Sequence, residues 1–226
     1  MEWIKSFIDL FLHLDEHLDQ LIGDYGPWTY LILFLVIFCE TGLVVTPILP
    51  GDSLLFVAGA FAGRGDERGL SLGLLFVLLT IAAILGDALN YAIGAYLGPK
   101  VLQRNGRFLK AEYIERTQKF YERHGNKTIV LARFVPIVRT FAPFLAGVGK
   151  MSYWRFGSYN IIGGISWIAI FLLLGYFFGQ IEVVKKNVEV LALGIVFVSL
   201  LPMVWEWWRA RRESAGSVAD EASPGN

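Results

Sequence analysis

The sequence predicts an all-α polytopic membrane protein: an inverted repeat of amphipathic helix, re-entrant hairpin and transmembrane helix, followed by a C-terminal transmembrane helix. Three observations predict it. The 226-residue chain is 55% hydrophobic and 15% aromatic, with a mean hydropathy of +0.52, too apolar for an ordinary soluble domain. Its apolar runs are of two kinds, some long enough to cross a bilayer and some short and interrupted by proline. The same order of segments also occurs twice along the chain.

Residues 3–22 read as an amphipathic helix. Phe7, Leu10, Phe11, Leu14, Leu18, Leu21 and Ile22 recur at helical spacing opposite Asp9, His13, Glu16 and Gln20. Such a helix lies on a membrane surface, which makes residues 1–25 an interfacial segment, ended by Tyr25-Gly26-Pro27. Its acids and the lack of a clean apolar stretch argue against a secretory signal. Trp28 to Leu49 is apolar but carries Glu40 and Pro47, with Pro50 just beyond. Ser53 to Gly63 follows with only 11 residues. That is about 16 Å of helix, against a hydrocarbon core of about 30 Å. Residues 28–63 therefore read as a re-entrant hairpin with its tip at Pro47-Ile48-Leu49-Pro50-Gly51-Asp52. Irregular backbone at that depth must be sheltered by protein or a wet cavity.

Residues 70–98 are long enough to span and carry Asp87 and Asn90 one turn apart. A polar stretch follows, with a second amphipathic helix at 108–124. Residues 128–149 repeat the earlier anomaly: a short apolar piece, then Arg133, Pro136, Arg139 and Pro143. They read as a second re-entrant hairpin. Residues 156–179 and 188–208 are plain spanning helices, the last closed by Trp205, Trp207, Trp208 and then Arg209, Arg211 and Arg212 at an interface. Residues 1–212 form one membrane domain, and 213–226 a disordered polar tail.

The repetition has a faint echo at an offset of 99, where Gly26-Pro27-Trp28-Thr29 aligns with Gly125-Asn126-Lys127-Thr128 and Glu40-Thr41 falls on Arg139-Thr140. One spanning helix separates the two units, so they enter from opposite sides, as in many secondary transporters. Lys and Arg number eight in Pro99–Lys127, two in Lys150–Arg155 and three in the tail, against only Lys5, Arg64, Arg68, Lys185 and Lys186 on the other side. The positive-inside rule then puts residues 99–127 and the C-terminus in the cytoplasm.

Charges inside apolar segments mark the candidate site. Each costs roughly 2.5–3.5 kcal/mol at mid-bilayer on insertion scales. In an unbroken helix Arg133 and Arg139 would point about 240° apart at 100° per residue. Pro136 breaks the ladder, so both guanidiniums can turn into one cavity. Guanidinium forks, with half-helix N-termini beside them, suit phosphate or carboxylate. The competing reading makes the arginines structural counter-ions of Glu40 and Asp52. Asp52, in Pro50-Gly51-Asp52-Ser53, could also be only a helix cap. Glu40 lies mid-segment and suits a proton carrier. Gly86, Gly94 and Gly98 favour close helix packing, and Asp87 completes a polar cavity. His13 and His17 sit one turn apart without a further ligand, and the single Cys39 offers neither disulfide nor zinc framework. No nucleophile motif, phosphate loop or dinucleotide fingerprint is present. No enzyme activity, metal or cofactor is expected, and a net charge of zero gives no field for nucleic acid.

Phe38-Cys39-Glu40-Thr41-Gly42, Pro47 to Gly59, Gly86-Asp87-Ala88-Leu89-Asn90-Tyr91 and Ala132-Arg133 through Phe144 together resemble the DedA family of bacterial inner-membrane proteins. That family belongs to the wider SNARE-associated, or VTT-domain, group, whose eukaryotic members include lipid scramblases. The resemblance implies that Glu40, Asp52, Arg133 and Arg139 carry function. It also implies a role in membrane homeostasis, recycling of undecaprenyl phosphate and a link to the proton motive force.

The expected function is lipid transport. An anionic lipid, a polyprenyl phosphate or phospholipid, docks at Arg133 and Arg139, while Glu40 and Asp52 couple protons. Pro47, Pro50, Gly51, Ser53, Asp87, Asn90, Pro136, Thr140 and Pro143 support the site. Two alternatives stay open: a proton-coupled transporter of a small ion or drug, and a non-transporting osmosensing or assembly scaffold. The expected partners are the lipid, the membrane and protons, and a homo-oligomer is compatible with the sequence.

Overall fold

The computed structural model describes residues 14–43, 51–63, 70–103, 121–122 and 124–181. Every regular element among them is helical: α1 (Leu14–Tyr25), α2 (Trp28–Gly42), α3 (Gly51–Gly63), α4 (Leu72–Gln103), a 3-10 turn (Gly125–Lys127), α5 (Thr128–Ala132), α6 (Pro136–Val148) and α7 (Tyr153–Phe178). Residues 1–13, the tip prolines Pro47 and Pro50, nearly all of 108–124, the 188–208 helix and the 213–226 tail lie outside the described residues.

Two helices set the frame. Leu72–Leu97 of α4 and Tyr153–Phe178 of α7 are each 26 residues, long and apolar enough to cross a membrane. They run antiparallel. Ile84 meets Gly164 near the middle, and the Tyr91 ring stacks on Phe156 further along, with centroids 4.5 Å apart. The other helices are short. α2 has 15 residues and α3 and α6 have 13 each, so none exceeds about 23 Å at 1.5 Å per residue.

The half-length helices are stacked along the long ones. α2 begins at the Leu72 end, where the Tyr30 hydroxyl accepts a hydrogen bond from the Ser71 N–H (2.6 Å), and it ends halfway, with Gly42 against Gly86. α6 covers the other half of α4 and ends with Gly147 against Tyr91 and Ala95. α3 lies along the second half of α7. Gly59 faces the backbone of Leu172 there, and Gly175 faces that of Phe56. These contacts are so close that a Cβ on either glycine would strike the opposing carbonyl, as in membrane helix pairs joined through small residues.

Proline explains the second break. Val135, just before Pro136, is extended (φ −120°, ψ 105°), the conformation into which a following proline pushes its neighbour. Pro136 then occupies the first turn of α6, where a missing N–H costs nothing. Pro143 lies inside α6 without ending it, and it denies the Arg139 carbonyl its usual i+4 donor. The two hairpins are unequal. The second begins with the five residues of α5, whereas the first has a 15-residue limb. Boundaries also differ from expectation: α2 stops at Gly42, α4 runs on to Gln103 and α7 starts at Tyr153.

Positions 99 apart behave alike. Gly26 and Gly125 both adopt positive φ (50° and 56°), the first just before α2 and the second opening the 3-10 turn before α5, and Thr29 and Thr128 are both fully buried. Glu40 and Arg139 form an ion pair. The register is not that of one hairpin laid on the other, however, because Glu40 ends a first limb and Arg139 lies within a second.

Two apolar clusters lie on either side of this meeting point. One joins Leu18, Leu33, Ile37, α3, Leu75, Leu79, Trp167 and Leu172; the other joins Ile129, Ala132, Val138, Ala142, Ala146 and Phe156. Leu18 is buried where α1 meets α2 and α3. On the outside of α4, Leu74, Val77, Ile81, Leu85 and Leu89 form an exposed stripe at helical spacing. Exposed aromatics mark both ends: Trp28, Phe177 and Phe178 at one, Tyr96, Tyr153 and Trp154 at the other. That pattern suits a lipid-facing wall between two interfaces.

Candidate functional site

Between the two clusters, close to the middle of both long helices, the chain gathers three carboxyl groups and two guanidiniums. Glu40 comes from the last turn of α2 and Asp52 from the first turn of α3. Asp87 comes from α4, Arg133 from the turn between α5 and α6, and Arg139 from α6. All four residues of the candidate charge set, with Asp87, therefore lie in one belt.

Arg139 bridges the two half-helix acids. Its Nη1 donates to Asp52 Oδ1 at 2.9 Å, and its Nη2 donates to Glu40 Oε1. Glu40 Oε1 also accepts from the Gly51 N–H (3.2 Å), so a carboxylate sits on the N-terminus of α3. The partial positive charge there favours an anion. Gly51 leaves room for this approach, since a Cβ there would force the Glu40 carboxyl to move. Glu40 Oε2 is buried with no partner among the described residues. Asp52 lies inside the helix rather than at a cap. Its Oδ1 also accepts the Trp167 indole N–H at 2.8 Å.

Arg133 is held apart. Its Nη2 donates to Asp87 Oδ2 and to Asn160 Oδ1, each at 2.6 Å. Asn160 donates in turn to the Ile84 carbonyl (3.0 Å), which ties α7 to α4. The Arg133 Nε lies against Gly163, where a Cβ would come within 3.0 Å. Pro136 does allow both to turn inward, but Asp87 and Asn160 claim Arg133, leaving Glu40 and Asp52 to Arg139. Trp167 stands between the two groups, its ring centroid 5.8 Å from the Arg133 Cζ and 5.1 Å from the Arg139 Cζ, both within cation–π range.

Exposure separates the two arginines, although Glu40, at 3%, is as buried as Asp87. The Arg133 and Asp87 side chains are 2% and 4% exposed, whereas those of Arg139 and Asp52 are 11% and 15% exposed. Around them the supporting positions fall into place. Asn90 Nδ2 donates to the carbonyls of Thr41 (3.1 Å) and Thr140 (2.9 Å), joining the meeting ends of α2 and α6. Ser53 is buried in the first turn of α3. Pro47 and Pro50 lie outside the described residues.

Asn160 and Trp167 were missed from sequence because 156–179 reads as a plain spanning helix. A signal was present in Asn160, since a carboxamide within an apolar span needs a partner. Nothing local marks Trp167, one aromatic among many.

Residues 49–177 match the VTT domain family. Protein DedA of Escherichia coli is 53% identical over 216 residues, covering 95% of this chain and 98% of that one. An uncharacterised membrane protein of Mycobacterium tuberculosis is 41% identical over 88% of each chain, and the inner membrane protein YqjA of Escherichia coli is 34% identical over 77% of each. No solved structure matches the chain. The chain is a membrane protein that belongs to the VTT-domain family, alongside DedA and YqjA.

Proposed function

We propose that this protein is a multi-pass transporter of the bacterial inner membrane. It moves an anionic lipid phosphate, undecaprenyl phosphate or a related phospholipid, from leaflet to leaflet in a proton-coupled manner. One observation carries the reading: a carboxylate of the chain itself occupies an anion site made by Arg139 and the N-terminus of α3. A phosphate monoester has the same charge sign and more oxygens, and it suits the same guanidinium fork. The headgroup displaces Glu40, while its hydrocarbon chain stays in lipid along the exposed apolar wall.

Charge balance supports the coupling. Three carboxyl groups face two guanidiniums, so one negative charge is in excess when all are ionised. Burying an uncompensated charge is costly, and one proton on Glu40 or Asp52 removes it. A second anion can enter Arg139 once Glu40 is protonated and lets go. The like behaviour of positions 26 and 125 and of 29 and 128 supports an inverted repeat.

The test uses protein reconstituted in vesicles containing a polyprenyl phosphate. Headgroup exposure in each leaflet is followed with and without an imposed pH gradient. The parent protein speeds equilibration and responds to the gradient. Glu40→Gln still binds the lipid but loses the gradient response. No acceleration by the parent would refute lipid transport and leave small-ion transport or a scaffold. An unchanged response in Glu40→Gln would make that acid a structural partner only.

A further inference from the structure

Resting on the anion-carrying reading, we propose that the two arginines have separate tasks. Arg139 is the exchangeable cation that meets the headgroup. Arg133 is a fixed strut, locked by Asp87 and Asn160, that places α6 and hence Arg139. Asp87 and Asn160 are then positioning residues that act through Arg133.

The geometry distinguishes the two in four ways. Arg133 is 2% exposed against 11% for Arg139. Its partners come from the two long helices, whose packing against each other fixes Asp87 and Asn160 in place. The partners of Arg139 come from the terminal turns of two half-length helices, so they can part with far less rearrangement. Finally, Gly163 lies directly on the Arg133 Nε, and the Trp167 ring lies on the side toward Arg139. Arg133 Nε and Nη1 are buried without a partner among the described residues, so an anion could reach the Nε only by opening the packing of α7 against it. Its place in the chain gives the strut its effect. Arg133 is the first residue after α5, three before Pro136, so holding it sets where α6 begins.

The experiment uses the full chain in lipid nanodiscs, with a polyprenyl phosphate as the probe. First, the native protein is treated with phenylglyoxal, which modifies accessible guanidiniums, and each arginine is read by mass spectrometry. Arg139 should react, and the probe should protect it. Arg133 should react only after unfolding. Equal reaction of the two, protection of both, or an Arg139 as inert as Arg133 would overturn the proposal.

Second, Arg133→Gln alone leaves Asp87 buried without its cation, and should lower the melting temperature and weaken probe binding about ten-fold or more. Combining it with Asp87→Asn removes both charges. The pair should recover both the melting temperature and the binding. A paired variant that melts like the parent yet fails to bind would make Arg133 a ligand contact and sink the idea. If the paired variant does not fold, the modification pattern of the native protein decides. If the native protein binds no polyprenyl phosphate at all, the transport reading falls. The reactivity contrast and the melting-temperature rescue still judge the strut.

Discussion

Replacing Arg139 by lysine keeps a positive charge and removes the fork, so it isolates geometry from charge. In the structure one guanidinium serves two carboxylates on two helices, with Nη1 on Asp52 Oδ1 and Nη2 on Glu40 Oε1. An ammonium is a point charge on a shorter effective reach and cannot hold both acids in that arrangement. One charge-assisted hydrogen bond is lost, worth roughly 1.5–3 kcal/mol. The partly open setting of Arg139 and Asp52 favours the lower half of that range. A loss of about 2 kcal/mol corresponds to roughly thirty-fold in an equilibrium constant at 1.4 kcal/mol per ten-fold. For a chain of this size it also lowers the melting temperature by about 4–8 °C. The assay measures melting and polyprenyl-phosphate affinity on one nanodisc preparation of parent, Arg139→Lys and Arg139→Gln. Lysine should lose most of the affinity and glutamine all of it. An Arg139→Lys protein that melts and binds like the parent would show that charge suffices and the two-acid bridge is incidental.

Asn90→Leu should be costly despite its similar volume, because it removes the two hydrogen bonds that tie the Thr41 and Thr140 carbonyls to α4. At about 0.5–1.5 kcal/mol for each lost bond, the melting temperature should fall by at least about 2 °C, and an unchanged melt would count against the bridge. Gly175→Leu should prevent α3 from seating on α7, since even a Cβ there meets the Phe56 carbonyl, while Gly23→Ala, with nothing within 4 Å, should be silent. Expression and melting of the two variants distinguish the cases. Cysteines placed by Asp66→Cys and Asn105→Cys in a Cys39→Ala background should label from opposite faces of the membrane, with position 105 cytoplasmic. Labelling from one face would remove the opposed-hairpin topology.

Parts of this arrangement are legible from residues alone, and the divide is physical. The long spans are readable because length and apolarity are local properties, as Leu72–Leu97 illustrates. The second break is readable because Pro136 constrains its own neighbour. Glu40 and Arg139 are readable as candidate counter-ions because each is a charge inside an apolar segment, where it needs a partner. What Arg133 touches is not readable. Its position in Arg133-Phe134-Val135-Pro136 says that the helix stops, whereas Asp87 and Asn160 arrive from helices 46 and 27 residues away. The N-cap reading of Asp52 fails for a similar reason. A carboxylate before an apolar helix fits a cap by local rules, and only the tertiary arrival of Arg139 and Trp167 redirects it.

The single amide of Asn90 has a mechanical consequence. Both of its N–H groups are committed, one to the end of α2 and one near the start of α6. Neither half-helix can slide along α4 alone without breaking a bond that nothing nearby replaces. Motion of α2, α6 and α4 together breaks neither. The pair therefore behaves as one interrupted rod fixed to its neighbour, with α3 fixed to α7 through the opposed glycines as a second. The degree of freedom that remains is shear between these two bodies. Across that shear plane run two pairs, Arg139 with Asp52 and Arg133 with Asn160. A small slip would stretch the more open pair first and the buried one last, so the charges themselves set the order in which the molecule yields.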